Sequence, residues 1–498
     1  MDKVEEAYNQ LKHELAQLPI QHSLFLIGEY EKFSSGIADT PPEGVFNFPK
    51  TIDYSKREEK TLLPLWDLQF LAREIIRNGT SGLNTSKLQN FQYLQFLINL
   101  CIKLKDDIYK ISKLDILDAL HPIFQQQFSS QRIDREQDYM FRYWKIFNQK
   151  EIDAICREQL GFSIQQWFDV GFAYWCFFRQ KRETLPYNYH LLEGTDYEEN
   201  DCKATRNALT ATVTRIQNRM KSPKFGNYFM YGFNPLTYKP FVKVNGQLIC
   251  PSLDFLLQRV FSGLYYDVVK HKGMENSLGK SFENYISEIS AKVLPSRKYK
   301  YIKETTYTAG KQEKATVDGI IQTKHSLIFI EAKSKRMTAR SKSESLQGIN
   351  LKKDIVILAE AVVQLYQSLE DYEQGLYPHL AYKEDLKVYP LVVTMEDWFI
   401  MGTLTDILRK EVENQLKKKN IEISILDSRP YTIASTSEFE LLLKVLKHNK
   451  AEDVFSKWHK KEHYRHLFAQ YLWNTFGKSK IRNTKIHKGT ISDFISFV

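Results

Sequence analysis

Cysteine is scarce in this 498-residue chain and poorly placed for cross-linking. The five cysteines, Cys101, Cys156, Cys176, Cys202 and Cys250, are odd in number, widely spaced and never in a CxxC pair. That argues against a disulfide framework and against a cysteine-built zinc site. Long apolar runs are missing too. The longest, such as "DIVILAEAVVQLY", are short and carry charge, whereas a membrane span needs about 18–20 apolar residues. The opening "MDKVEEAYNQLKHELAQLPI" reads as a charged amphipathic helix and lacks the apolar core of a secretion signal. A cytoplasmic protein with no membrane partner is the expectation. There is no G-x-x-x-x-G-K-[ST] phosphate loop, so no ATP-driven engine is visible, and no G-x-S-x-G nucleophile elbow. Internal repeats and low-complexity tracts are also absent.

Hydrophobic residues make up 43% and aromatic residues 13% of the chain, which suits a globular protein with large cores. At roughly 150 residues per domain, the length suggests two to four domains. The net charge of +10 is unevenly spread. Residues 292–343 hold 13 Lys and Arg against 4 Asp and Glu, and the last 22 residues hold 5 against 1. A basic patch suits a polyanionic partner, because each phosphate contact releases counterions. The plain alternative is a solvated basic surface.

Residues 1 to about 225 read mostly as helix. "LWDLQFLAREIIR", "LQNFQYLQFLINLCIKLKDDIYK" and "IQQWFDVGFAYWCFFRQKR" repeat apolar residues at helical spacing. In the connecting stretch 226–274, "FVKVNGQLIC" reads as strand, Asn-Gly turn and strand. From about 275 the order changes. "SLGKSFENYISEISAKVL" is a helix, followed by three strands in "RKYKYIKETTYT", "KATVDGIIQT" and "SLIFIEAKSK". A basic loop, the helix "KKDIVILAEAVVQLYQSLE" and the strand "LKVYPLVVT" complete an α-β-β-β-α-β order. Residues 396–498 read as an α/β extension with a strand at "IEISIL" and a basic tail.

Charge in the third strand demands a reason. "LIFI" is apolar on both faces, as in a central strand, yet Glu331 and Lys333 follow it two positions apart and so share a face. A turn near His325 places Asp318 of the preceding strand beside Glu331, and Gly319 allows a close approach there. Adjacent carboxylates repel unless a cation lies between them. Oxygen ligands without cysteine favour Mg2+ or Mn2+. A nearby Lys could orient and help deprotonate water, or stabilise charge on a phosphate, which together read as metal-assisted phosphodiester hydrolysis. In the preceding helix, Phe282, Ile286, Ile289 and Val293 form the buried stripe. At 100° per residue, Glu283 lies about 85° from its centre, within reach of the site, and Glu288 about 135°, toward solvent.

With these residues in view, the stretch 275–395 resembles the PD-(D/E)XK, or restriction-endonuclease-like, nuclease superfamily. Asp318 matches the first acidic position, Glu331-Ala332-Lys333 the E-x-K, and Glu283 the helical acid. Val317 stands where the motif's name has proline. The resemblance implies a nuclease core of αβββαβ order (275–395), which follows the mostly helical N-terminal domain (1–225) and connecting segment (226–274) read from periodicity and precedes the C-terminal extension (396–498). It implies that Glu283, Asp318, Glu331 and the Ala332 carbonyl hold Mg2+ or Mn2+ while Lys333 positions water. Lys335, Arg336, Arg340 and Lys342 would grip phosphates, and Gln364 matches a polar position near the site. DNA is the expected substrate ahead of RNA, and analogy adds a role in restriction or anti-phage defence, with a homodimer or a regulatory protein as further partner. A nuclease-like scaffold that binds nucleic acid or a protein without cutting is the alternative.

Two other motifs compete. "HKKEH" (459–463) fits the H-x-x-E-H of inverted zinc peptidases, but residues 464–498 hold no Glu to serve as the distal ligand. A polar helix face is the expected reading, with His466 nearby. "MFRYWKIFNQK" (140–150) interleaves aromatic and basic residues as a base-stacking surface would, but core packing of one helix face is the expected reading.

Overall fold

Apolar residues at helical spacing do form helices throughout the first part of the chain. The computed structural model describes residues 2–49, 63–112, 116–128, 136–220, 229–460, 466–477, 481, 486–487 and 490–497. The protein is mixed α/β with a helical N-terminal part. The longer helices that lead are α1 (Asp2–Leu15), α2 (Ile20–Ser34), α3 (Leu65–Asn78), α4 (Phe91–Ser112), α5 (Ile116–Gln127), α6 (Glu136–Phe147) and α7 (Ile164–Gln180). Ser163 and Gln166 form a capping box at α7, which satisfies amide groups that the first turn leaves without partners. The helices α1–α4 enclose one core, with Leu11, Leu24, Leu71 and Leu97 fully buried in it.

A small sheet follows, with strands β1 (Leu185–Pro186), β2 (Thr210–Thr212), β3 (Phe241–Val244) and β4 (Gln247–Ile249) in the order β1-β4-β3-β2. Asn245 and Gly246 join β3 to β4 with φ of 48° and 74°. Two successive positive φ values give the turn whose twist suits a two-residue hairpin, and Asn-Gly tolerates them best. Helix α8 (Leu253–Val260) then starts on Ser252, whose hydroxyl accepts from the Phe255 amide.

The second sheet carries the site. Helix α9 (Met274–Val293) precedes β5 (Lys300–Lys303), the hairpin β6 (Thr306–Ala309) and β7 (Gln312–Ala315), then β8 (Gly319–Gln322) and β9 (Ser326–Lys333). Helix α10 (Ile349–Glu373) crosses over to β10 (Lys387–Thr394), and α11 (Thr403–Lys418) leads to β11 (Thr432–Ser435) and α12 (Thr436–Leu446). The strand order is β11-β10-β9-β8-β5. β8 runs antiparallel to both of its neighbours, β5 and β9, whereas β9, β10 and β11 run parallel. β9 therefore lies in the middle, and Leu327, Ile328, Phe329 and Ile330 are all fully buried. Ile328 and Ile330 share a core with Phe282, Ile286 and Ile289 of α9, while Leu327 and Phe329 share another with Leu358, Val362 and Leu369 of α10.

Three expectations about strands needed correction. "RKYKYIKETTYT" is not one strand but β5 plus the first arm of a hairpin, and "KATVDGIIQT" is the second arm plus β8. The hairpin pairs apart from the main sheet and docks on α10, where Asp371 accepts from Tyr307 Oη at 2.6 Å and Lys314 Nζ at 2.8 Å. "IEISIL" is no strand: Ile425–Ser428 form a helical turn, and pairing with β10 falls to Thr432–Ser435. Short apolar runs do not distinguish helix from strand by period alone. Among the described residues, no helix is long and apolar enough to cross a membrane. The basic residues of the tail, Lys478, Lys480, Arg482, Lys485 and Lys488, lie outside the described residues.

Candidate active site

Register brings the acidic residues together. Lys303 pairs with Gly319 and Gly319 with Ile330. One step further along each strand aligns Glu304, Asp318 and Glu331 in a row across β5, β8 and β9. Glu283 approaches from α9. Ligand oxygens of Glu283, Glu304 and Asp318 all lie within 4.8 Å of one another. Glu331, only 8% exposed, completes the row and is held by Lys333, whose Nζ donates to Oε1 at 2.7 Å. Asp318 Oδ2 accepts from the Ala332 amide at 2.6 Å, so Ala332 enters the site through its N–H. Glu288 is exposed and pairs with Lys145 at 3.2 Å, as its angle on the helix implies.

Gly319 is required by a close approach. A Cβ there would stand 1.9 Å from Tyr301 Oη. The Tyr301 ring fills that space beneath the carboxylates and packs against the α9 core.

The crowding is electrostatically unfavourable without a cation. Burial, then Glu331, and to a smaller extent Glu283, push the Asp318 carboxyl up to about 8, against the opposing amide of Ala332 and charge of Lys333. Burial also raises Glu331 and Glu283, the latter with help from Glu304 and Glu331. For Lys333, burial lowers the pKa, but the attraction of Glu331, Asp318 and Glu283 outweighs it and the net shift is upward. Four carboxylates around one ammonium form an oxygen-only donor set with excess negative charge, which suits a hard divalent ion.

Neither a family model nor a curated protein nor a solved structure matches the chain.

The basic loop after β9 differs from expectation. Arg336 is not a surface phosphate grip. It is 7% exposed, donates to Glu396 Oε2 from Nε at 2.8 Å, and stacks on Tyr266 at 4.8 Å. Lys342 is half-buried and also bonds Glu396 Oε2, at 2.8 Å. A buried cation needs a partner, and both have found the same one. Lys335 is half-buried, Arg340 is exposed, and Gln364 is exposed on α10 without a hydrogen bond to the carboxylates.

Glu304 is the residue that sequence reasoning missed. It follows β5 by one position, and the inserted hairpin hides the pairing that sets it opposite Asp318. Of the competing motifs, the 140–150 stretch falls largely in α6 and buries Met140, Tyr143, Ile146 and Phe147. His459 caps the helix Ala451–Trp458 and stands 3.1 Å from Thr432 Oγ1. Lys461, Glu462 and His463 lie outside the described residues.

Proposed function

We propose that the chain is a divalent-metal-dependent nuclease with a restriction-endonuclease-like core, acting on DNA phosphodiesters. The observation that carries this reading is the convergence of Glu283, Glu304 and Asp318 beside the Glu331–Lys333 pair at the end of a central strand. The order α9-β5-β8-β9-α10-β10, with β10 parallel to β9, supports it. The resemblance of Asp318 and Glu331-Ala332-Lys333 to the superfamily's motif gives the substrate class, and analogy extends it to restriction or anti-phage defence.

Glu283, Glu304 and Asp318 would hold Mg2+ or Mn2+, with Glu331 alongside. The bound ion supplies polarisation of a phosphate oxygen and acidification of a water ligand. Lys333 does the rest of the local work. Its pKa is raised, so it carries its proton at neutral pH. It therefore acts by donating hydrogen bonds that orient water and by stabilising negative charge developing on the phosphate, not by accepting a proton. Glu331 fixes where that ammonium sits.

The test is cleavage of plasmid and linear DNA, with an RNA control, in Mg2+, Mn2+ or EDTA. Wild type should cut only with metal, and Lys333→Ala should be slower by about 100-fold or more. Wild-type protein that retains DNA equally in EDTA and cuts nothing in any metal would instead be a binding scaffold.

A further inference from the structure

A second cavity opens on the other side of the loop that leaves the site. It has a volume of about 540 Å³ and lies between α3, the segment around 230–238, α8 and the loop 336–343. Its lining has three components. Arg73, Arg259, Arg336 and Lys342 supply positive charge, and among the described residues no Asp or Glu lines the cavity. Five amide side chains, Gln69, Gln125, Gln126, Asn234 and Gln258, supply donors and acceptors. Phe233, Tyr238 and Tyr266 supply ring faces.

The cations are held in place by carboxylates at their rear and by backbone carbonyls. Arg73 shares Glu74 with Arg77, Arg259 shares Asp267 with Lys270, and Arg336 shares Glu396 with Lys342. Two of the rings are unusually open for their size: Phe233 is 54% and Tyr266 36% exposed. Tyr266 carries the Arg336 guanidinium at 4.8 Å, whereas among the described residues no ring or cation covers Phe233.

An occupant must be anionic, must offer a flat face for stacking and must present an edge that amides read. That combination describes a nucleotide, and pockets for such ligands span about 300–1,000 Å³. We propose that this cavity binds a nucleotide, either free or as an unpaired unit of a nucleic-acid strand. The proposal stands on the cavity itself and does not require the nuclease reading. Its position adds a consequence. Arg336 lies three residues beyond Lys333, so an occupant would rest against the loop that continues the strand bearing the Glu331–Lys333 pair.

Calorimetry on the full chain in EDTA tests this, with ATP, GTP, adenosine, inorganic triphosphate and a ten-nucleotide single strand as probes. At least one nucleotide or the strand should bind. Phe233→Ala and Tyr266→Ala should each weaken it about tenfold, as loss of a stacking partner does, with the thermal midpoint unchanged. Binding of ATP or GTP identifies a free nucleotide as the occupant, and binding of the strand alone identifies an unpaired unit of nucleic acid. The proposal fails if none of the probes binds, if binding ignores both substitutions, or if inorganic triphosphate binds as tightly as ATP. EDTA and a binding readout keep this result separate from any failure to cut DNA.

Discussion

Asp318 holds the least comfortable charge in the molecule's acidic row. Its carboxyl is pushed from an ordinary 3.8 up to about 8 by burial, then by Glu331 and Glu283. A folded-state pKa above the unfolded one means that its contribution to stability is full below about 4 and is lost as pH rises toward 8. Asp318→Asn removes the charge and keeps an acceptor for the Ala332 amide. In EDTA at pH 8 this variant should be markedly more stable than wild type, and the difference should close at pH 4. Urea unfolding at the two pH values checks this, and equal midpoints at pH 8 would show that the repulsion is relieved by other means. Most of this site was legible in the sequence. Period-2 spacing put Glu331 and Lys333 on one face, a short hairpin brought Asp318 opposite, and the helical angle chose Glu283 over Glu288. Glu304 was hidden because strand register is a long-range property. Arg336 and Lys342 were misread for the same reason, since their partner Glu396 is 60 and 54 positions away.

That partner acts on the level of elements. The Met395 amide bonds the Lys333 carbonyl at 3.1 Å, extending the β9–β10 ladder by one rung. Just beyond it, Glu396 accepts from Arg336, from Lys342 and from the Met337 amide at 3.0 Å. The clamp fixes the path of the loop between the two sites. Burial alone would raise the Glu396 carboxyl, but Arg336 and Lys342 outweigh it and the net shift is downward. Its sign is thus opposite to that of Asp318: stability is present above about 4.5 and is lost as pH falls. Glu396→Gln leaves two cations without a counter-charge and should lower stability at pH 7 by about 3–5 kcal/mol, the usual cost of breaking a buried pair from one side. The gap between variant and wild type should shrink in acid, and a gap that persists at pH 3 would assign the loss to packing instead. Elements themselves were readable where one signal dominated. Long amphipathic helices and the Asn-Gly hairpin announced themselves locally, whereas β5 to β8 were blurred because the main-sheet strands and the inserted hairpin carry the same alternation.

On the scale of the whole chain, the hydrophobic interior divides into three cores, two of which hold fully buried thiols that report how they unfold. One core belongs to α1–α4 and contains the fully buried Cys101. Another runs from Tyr139 through α7, α8 and α9, under one face of the second sheet, to Phe494 and Ile495, and contains the fully buried Cys156. Its closing piece is small. Phe494 packs on Phe141 and Trp144, its carbonyl accepts from Gln165 Nε2 at 2.8 Å, and the Ser496 amide donates to the buried Asp169 at 3.1 Å. Phe494→Ala should weaken this core by about 3–5 kcal/mol through lost burial and the cavity left behind. Both cysteines are free thiols, so each reports the opening of its own core. On heating, pulse-labelling should find Cys156 exposed at a lower temperature in the variant, with Cys101 shifted less, because Phe494 belongs to the core that holds Cys156. Equal shifts at both thiols would mean that the chain unfolds as one cooperative unit, and the site at the end of β9 would then depend on the N-terminal helices for its stability as much as on its own sheet.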